Sequence, residues 1–357
     1  MKKLFKRILI VLVCLSAVTA MASCQWIIKK PPQDKKIVVY MPDGAPLLSL
    51  TKMRADAQNV ADGYKVDYQT VADPTALTAA LMKGEADFAV APINVCAALY
   101  NNGSGYLFGG VNIWGIIHIV SNIGSPVTLE DLKGESIVAF TQGGTPGITL
   151  RAVLNQNGIE YVEEANFLGH VGDDKVHIFY RASANLVVSD LLFQSIDGKE
   201  IRYALLAEPV VTAIAGPTQG NLYGPFLPAI NISEEWAKNN GGTLYPQAGI
   251  IFKASLLEND KEFVNKFLDA ARASADWALA NPYEAGELAK NALNSAAIPG
   301  GAPVKAAVEA GRLPLNFYYP IEAKASVTAY LQAIIDDGSP TLVGGKLPDN
   351  GFYYRFT

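Results

Sequence analysis

Twice in this chain a short apolar strand runs into a proline that opens a helix. Asp87-Phe88-Ala89-Val90-Ala91-Pro92 leads into Ile93-Asn94-Val95-Cys96-Ala97-Ala98, and Tyr203-Ala204-Leu205-Leu206-Ala207-Glu208-Pro209 leads into Val210-Val211-Thr212-Ala213-Ile214. A strand that is apolar throughout, rather than alternating, is buried on both faces. Proline is best tolerated in the first turn of a helix, where its missing N–H costs nothing. Each segment therefore reads as the strand-to-helix turn of a βαβ unit, and the chain must build largely parallel sheets covered by helices.

The flanking pattern agrees. Lys36–Met41, Tyr64–Val71 and Asp87–Ala91 read as strands, with helical stretches from Pro46 to about Val60 and over Thr75–Lys83. The alternation restarts with a strand at Ser136–Phe140, a helix near Gly147–Gln156, strand-like residues near Tyr161–Phe167, a helix near Asn185–Ile196 and a strand at Tyr203–Leu206. Beyond Ile232 the chain turns helical and alanine-rich over Lys261–Ala280, Tyr283–Ala292, Val304–Arg312 and Ala323–Ile335. Val264, Leu268, Ala271, Ala275 and Ala278 recur at helical spacing and mark a core-facing stripe. Two extended segments, Ile113–Ser121 and Phe226–Ile232, join the halves. The expected organisation is a discontinuous lobe 1 (36–114 and 229–357) with lobe 2 (115–228) inserted, and two crossovers between lobes make a hinge. A length of 357 residues suits two such bodies.

The first 23 residues form a signal peptide: a basic start, the apolar Ile8–Leu15, then small residues, too short to span a bilayer. The segment ends Met21-Ala22-Ser23-Cys24, which resembles a bacterial lipobox with Met21 where Leu or Val is usual. That resemblance implies palmitate-type acyl chains on Cys24, membrane attachment and an extracytoplasmic, lipid-anchored protein. Residues 24–35 then read as a tether stiffened by Pro31-Pro32. Cys14 belongs to the signal and Cys24 to the lipid, so Cys96 alone remains in the body and reads as a small buried apolar side chain. Lys2, Lys3, Lys6 and Arg7 fall in the signal, leaving 25 bases against 34 acids. An acidic body without a basic stripe argues against nucleic acid as a partner.

Candidate site residues gather at strand ends, because open α/β sheets bind ligands beyond the carboxyl ends of their strands. Thr141–Gly147 (TQGGTPG) follows a buried strand and precedes a helix. Gln142, Gly143, Gly144 and Thr145 thus read as a cradle whose glycines admit a ligand and whose free N–H groups favour an anion. The same string approaches a hydrolase nucleophile elbow, but Thr145 replaces the serine and Pro146 removes the N–H of an oxyanion hole. Asp43 and Gly44 follow the first strand, where Asp43 either meets a ligand or fixes a turn. Asn94 interrupts an apolar helix start and is expected to face the ligand. Trp114 stacks on a ligand, lines the hinge or packs in the core. Glu208 either binds a donor group of the ligand or caps the following helix. Gly103-Ser104-Gly105 lacks the context of a dinucleotide fingerprint, and Gly344-Gly345-Lys346 lacks that of a P-loop. His170, Asp173, Asp174 and His177 read as a solvated loop rather than a metal site, and His118 as a structural histidine. No cofactor and no metal are expected.

Gly84–Leu99 (GEADFAVAPINVCAAL), Gly110–Gly115 (GVNIWG), Leu129–Leu150 (LEDLKGESIVAFTQGGTPGITL) and Ala204–Ala213 (ALLAEPVVTA) together resemble the solute-binding proteins of ABC importers, nearest to the nitrate, sulfonate, taurine and thiamine-precursor group. The resemblance implies an α/β, two-lobed periplasmic-binding-protein fold of type II with two hinge crossovers and a helical C-terminal portion. It implies a monomer that is not an enzyme, closes on a small molecule and delivers it to permease and ATPase subunits. Two alternatives stay open: an enzyme on the same fold resembling thiamine-pyrimidine synthase, and a ligand-sensing lipoprotein without a permease. The sequence departs from the group at Glu200-Ile201-Arg202 and in the irregular stretch Gly169–Ala184.

Overall fold

The computed structural model describes residues 34–56, 60–71, 74–124, 127–216, 222, 224 and 226–355. The expected signal, the lipid on Cys24 and nearly all of the tether lie outside the described residues.

The chain opens with β1 (Lys35–Pro42), the short helices α1 (Ala45–Leu48) and α2 (Thr51–Ala55), β2 (Tyr64–Val71), α3 (Pro74–Met82), β3 (Phe88–Pro92), α4 (Ile93–Asn101) and β4 (Tyr106–Trp114). It continues through β5 (Ile117–Ser121), β6 (Ser136–Phe140), α5 (Thr145–Gln156), β7 (Tyr161–Glu164), β8 (Val176–Arg181) and α6 (Ala184–Phe193). A small hairpin of β9 (Ser195–Ile196) and β10 (Lys199–Glu200) precedes β11 (Tyr203–Ala207), α7 (Val210–Ala215), β12 (Leu227–Asn231) and α8 (Ile232–Asn239). After β13 (Pro246–Lys253) come α9 (Leu256–Asn259), α10 (Lys261–Ala280), α11 (Pro282–Glu287), α12 (Gly301–Glu309) and α13 (Pro320–Asp336).

Two sheets result, ordered β2-β1-β3-β13-β4 and β12-β5-β11-β6-β8-β7. Within them β1 and β3 are parallel, as are β11, β6, β8 and β7, which is what the βαβ reading requires. The strands next to the crossings are not: β13 runs antiparallel to β3 and β4, and β5 to β11 and β12. Strand β3 shows why its sequence is apolar throughout. Phe88 and Val90 join the core under α10, where Phe88 stacks on Phe267 at 4.0 Å, while Ala89 and Ala91 join the core on the other face. Burying such a side chain is worth roughly 1.5–3 kcal/mol.

The edge of β4 is not left open. Trp114 N–H donates to Pro314 O (3.2 Å), and Val111 and Tyr318 exchange two bonds of 2.9 Å. Phe108 donates to Phe352 O (2.8 Å) and accepts from Tyr354 N–H (3.0 Å). Two later segments thus occupy backbone groups that would otherwise invite a foreign strand.

Between β4 and β5 the chain passes from one sheet to the other at Gly115. A Cβ there would stand 2.2 Å from Ser233 Oγ and 2.6 Å from the Tyr245 ring, so glycine is required by close approach. Helix α13 packs on β4 and β13 of the first sheet and on α5 of the second. Its Tyr330 meets Trp236 and Tyr245 with ring centroids 5.6 Å away in each case.

Three expectations need correction. The helix read from Pro46 to Val60 is broken after Leu48, where Leu50 leaves helical geometry at φ −108°, ψ 8°, and the Ser49 and Thr51 hydroxyls donate back to Pro46 O (3.1 Å) and Leu47 O (3.0 Å). The irregular stretch Gly169–Ala184 contains β8, an interior strand with β6 on one side and β7 on the other. Val176 and Ile178 are its fully buried apolar residues, an alternation too short to stand out, while Phe179 and Tyr180 pack on the core half-buried. Phe226–Ile232 is not a joining segment: Leu227–Asn231 pairs with β5, so the second sheet runs past residue 228 and the return comes through α8 to β13. Among the described residues, no helix is long and apolar enough to cross a membrane.

Candidate functional site

The carboxyl ends of β1, β3, β6 and β11 carry Asp43, Asn94, Gln142–Thr145 and Glu208, the residues singled out from sequence. Among the described residues, no hydrogen bond joins any of these four groups to another. Each is answered locally, and the answers differ.

Asp43 is a turn residue. Its carboxylate accepts from Gly44 N–H (2.8 Å), Ala296 N–H (2.8 Å), Ala297 N–H (3.1 Å) and the Ser295 hydroxyl. The loop before α12 saturates it. Gly44 adopts φ +108° at the start of α1, a region that L side chains avoid.

Asn94 and Thr145 lie in the first turns of α4 and α5, 3% and 4% exposed. Asn94 Nδ2 makes one long bond to Leu342 O (3.4 Å), and its Oδ1 has no partner. The Thr145 hydroxyl faces that of Tyr330, which is already bonded to Thr149 at 2.8 Å, and has no partner within hydrogen-bond geometry among the described residues. An unsatisfied buried polar group costs about 1–3 kcal/mol. Two of them at the openings of two helices are an invitation to a polar partner.

The cradle is partly occupied by the protein itself. Gly144 N–H donates to Thr141 O (2.9 Å), and a Cβ on Gly144 would lie 2.5 Å from Thr141 Cγ2. Close approach of Thr141 is by itself enough to require glycine at 144. Gly143 is exposed, and a Cβ there would meet nothing within 4 Å. The N–H groups of Gly143, Thr145 and Gly147 make no bond among the described residues. Gln142 donates to Glu163 (2.7 Å) and accepts from Arg151 (3.1 Å). With Arg151, Tyr161, Glu163, Asp337 and Ser339, Gln142 and Gly143 line a polar pocket of about 370 Å3.

Glu208 is held by the protein's own donors. Its side chain is fully buried, Oε2 accepts from Thr212 N–H (3.0 Å), and Oε1 accepts from the Thr212 hydroxyl (2.9 Å) and from Arg312 Nε (2.7 Å). It caps α7, the second of the two roles open to it. Arg312 Nη2 also donates to Thr212 Oγ1 (2.8 Å). Sequence reading missed Arg312, which lies 104 residues from Glu208 and carries no motif.

Trp114 packs rather than projects. It is 7% exposed, its Nε1 donates to Asn316 O (3.0 Å), and it meets Tyr318 edge-on at 5.1 Å. It lines a second pocket of about 280 Å3, with Pro314, Tyr318 and Glu322, that shares no wall with the Gln142 pocket.

His177 corrects the solvated-loop reading. It is buried between Glu164 (2.9 Å) and Asp173 (3.1 Å), while His170 bonds Glu135 (2.8 Å). His118 is buried with Nδ1 on Ile116 O (3.3 Å), and burial pushes its pKa down to about 4. The Cys96 thiol is buried, donates to Ala91 O (3.5 Å) and is pushed up by burial, away from thiolate chemistry.

No protein-family model matches the sequence, and no curated protein matches it. Solved structures do. An ABC transporter protein from Parabacteroides distasonis is 24% identical with a TM-score of 0.71, over 90% of this chain and 99% of that one. The periplasmic aliphatic sulphonate binding protein SsuA from Escherichia coli is 16% identical with a TM-score of 0.65, over 90% and 92%. The Candida albicans CA3427 gene product, described as having the generic periplasmic binding protein fold, is 13% identical with a TM-score of 0.55, over 87% and 93%. Likeness of this extent at such low identity establishes architecture: the two sheets and their helices form the periplasmic-binding-protein fold.

Proposed function

We propose that this protein is an extracytoplasmic solute-binding lipoprotein. It captures a small anionic or acceptor-bearing solute and delivers it to the permease and ATPase subunits of an ABC importer. The observation that carries the reading is the pair of unpartnered buried oxygens, Asn94 Oδ1 and Thr145 Oγ1, in the first turns of helices that open at the ends of β3 and β6. A bound solute supplies the missing partners. The free N–H groups at the start of α5 add a bias toward negative charge worth ~0.3–1 kcal/mol, or up to ~2 when partly buried.

Charge is no obstacle to this reading. The Glu208 carboxylate at the end of β11 is paired with the Arg312 guanidinium at 2.7 Å. Acyl chains on Cys24 hold the body at a membrane surface, and the two lobes, each built on one of the two sheets, close on the solute about the crossings. Binding rather than catalysis is favoured by Pro146 after Thr145 and by the inert environment of Cys96.

The test is a thermal-shift screen of small metabolites, since a ligand bound by the native state alone raises apparent stability. A metabolite that raises the melting temperature of the wild type, and less so that of Thr145→Ala, supports the reading. A screen in which no metabolite shifts the wild type defeats it.

A further inference from the structure

The sequence drew attention to Glu208, and the structure moves attention to its partner. Arg312 offers its guanidinium to the protein along one edge only. Nε donates to Glu208 Oε1 (2.7 Å) and Nη2 to Thr212 Oγ1 (2.8 Å), which is the side-on edge of the group. Both acceptors are themselves fixed, because Glu208 is fully buried and Thr212 donates its hydroxyl to Glu208 at 2.9 Å. Nη1 makes no hydrogen bond among the described residues. The end-on edge, Nη1 with the outer N–H of Nη2, is therefore a pair of parallel donors without a partner among the described residues. The side chain is 25% exposed, so solvent-borne groups reach it.

That free edge is the geometry that matches a carboxylate, sulfonate or phosphate with two parallel N–H···O bonds. A guanidinium already held on its other edge loses little rotamer freedom when the second edge is used. Its position fits as well. Glu208 and Thr212 stand at the carboxyl end of β11, the end of the strand where open α/β sheets take their ligands.

We propose that Arg312 is the residue that receives the charged end of the solute, and that this solute carries an oxyanion. Glu208 and Thr212 hold the guanidinium in place and do not touch the solute. The inference rests on the solute-binding reading and names the class of solute.

The probes are ethanesulfonate, butyrate and phenyl phosphate, with butyramide as an uncharged counterpart and butylamine as a cation. Melting temperature and calorimetric affinity are measured on the full-length protein. At least one oxyanion is expected to bind the wild type, with butyramide and butylamine inactive. Arg312→Gln alone leaves Glu208 buried without its cation, so it is combined with Glu208→Gln, and Arg312→Lys serves as a second variant. Lysine keeps the charge opposite Glu208 and lacks the fork. Both variants are expected to lose the oxyanion roughly tenfold or more, as for removal of a charge-assisted hydrogen bond. Wild-type affinity for an oxyanion in the double variant overturns the assignment to Arg312. A wild type that binds only butyramide or butylamine overturns the oxyanion and leaves solute binding standing. Silence across all five probes also overturns the oxyanion, and the metabolite screen then decides solute binding separately.

Discussion

Arg151, on α5 over the second sheet, donates from Nε to Asp337 at 3.1 Å, and Asp337 ends a helix that packs on the first sheet. Asp337 is 1% exposed and also accepts from Asn155 Nδ2 (2.6 Å) and the Tyr161 hydroxyl (3.0 Å). Three donors from the second sheet's elements therefore converge on one carboxylate carried by the C-terminal helical region. The two sheets are joined here by side chains as well as by the chain crossings.

Asp337→Ala should destabilise the protein by on the order of 3 kcal/mol, since it strands a buried guanidinium whose remaining carboxylate is Glu163. Equilibrium unfolding in urea reads this directly. A loss below about 1 kcal/mol, the size of an exposed pair, would mean the contact is ornamental.

The histidines give stability opposite pH slopes. For His177 burial works to lower the pKa, but hydrogen bonds to Glu164 and Asp173 outweigh it, and the value ends above 6.5. Its contribution is fully present below 6.5 and fades as pH rises through the raised folded value. His177→Gln should remove that alkaline-side loss. If stability between pH 6 and 8 has the same slope in both proteins, the ion pair is not formed (pH range about that of histidine titration).

For His118 the folded value is about 4 and the cause is burial, so the native state holds it neutral. Stability from this site is present above 6.5 and lost as pH falls toward 4, a loss on the order of 3 kcal/mol. His118→Leu should flatten the acid limb of a stability-against-pH curve. An unchanged acid limb would place the proton elsewhere.

At the cradle, Gly143→Leu separates binding from folding. A Cβ there meets nothing within 4 Å and the position is exposed, so stability should stay within about 0.5 kcal/mol of wild type while solute binding is lost. Thr145→Ala should weaken binding by about 1 kcal/mol through one hydrogen bond. Calorimetry with a solute from the metabolite screen checks both, and full affinity in the Gly143→Leu protein would put the solute elsewhere.

Cys24→Ser should shift the protein from the detergent phase to the aqueous phase, or leave it uncleaved, in a Triton X-114 partition. Partition equal to wild type would exclude lipid on that thiol.

The frame of the fold was written in local signals. Phe88–Pro92 and Tyr203–Pro209 declared strand, stop and helix within a dozen residues each, and α10 declared its buried stripe by spacing. The site was legible only as a set of strand ends. What Asp43, Asn94 and Glu208 do there depends on Ser295, Leu342 and Arg312, and no local pattern announces a partner more than 100 residues away. Gly144 shows a constraint that the sequence hides: a Cβ there would collide with Thr141. β8 escaped for a third reason, because a central strand with a histidine between its two core residues looks like a loop.

The covering of β4 bears on the order in which the protein can be made. β3 and β4 never pair with each other and are linked only once β13 lies between them, and the free side of β4 waits for Pro314–Tyr318 and then for Phe352–Tyr354. A growing chain that has passed residue 231 can pair every strand of the second sheet, yet still shows bare backbone on β3 and β4. Such non-local pairing is slow and exposes sticky edges while it waits. The first sheet to be synthesised is thus the last to be finished, and Phe352–Tyr354 complete it.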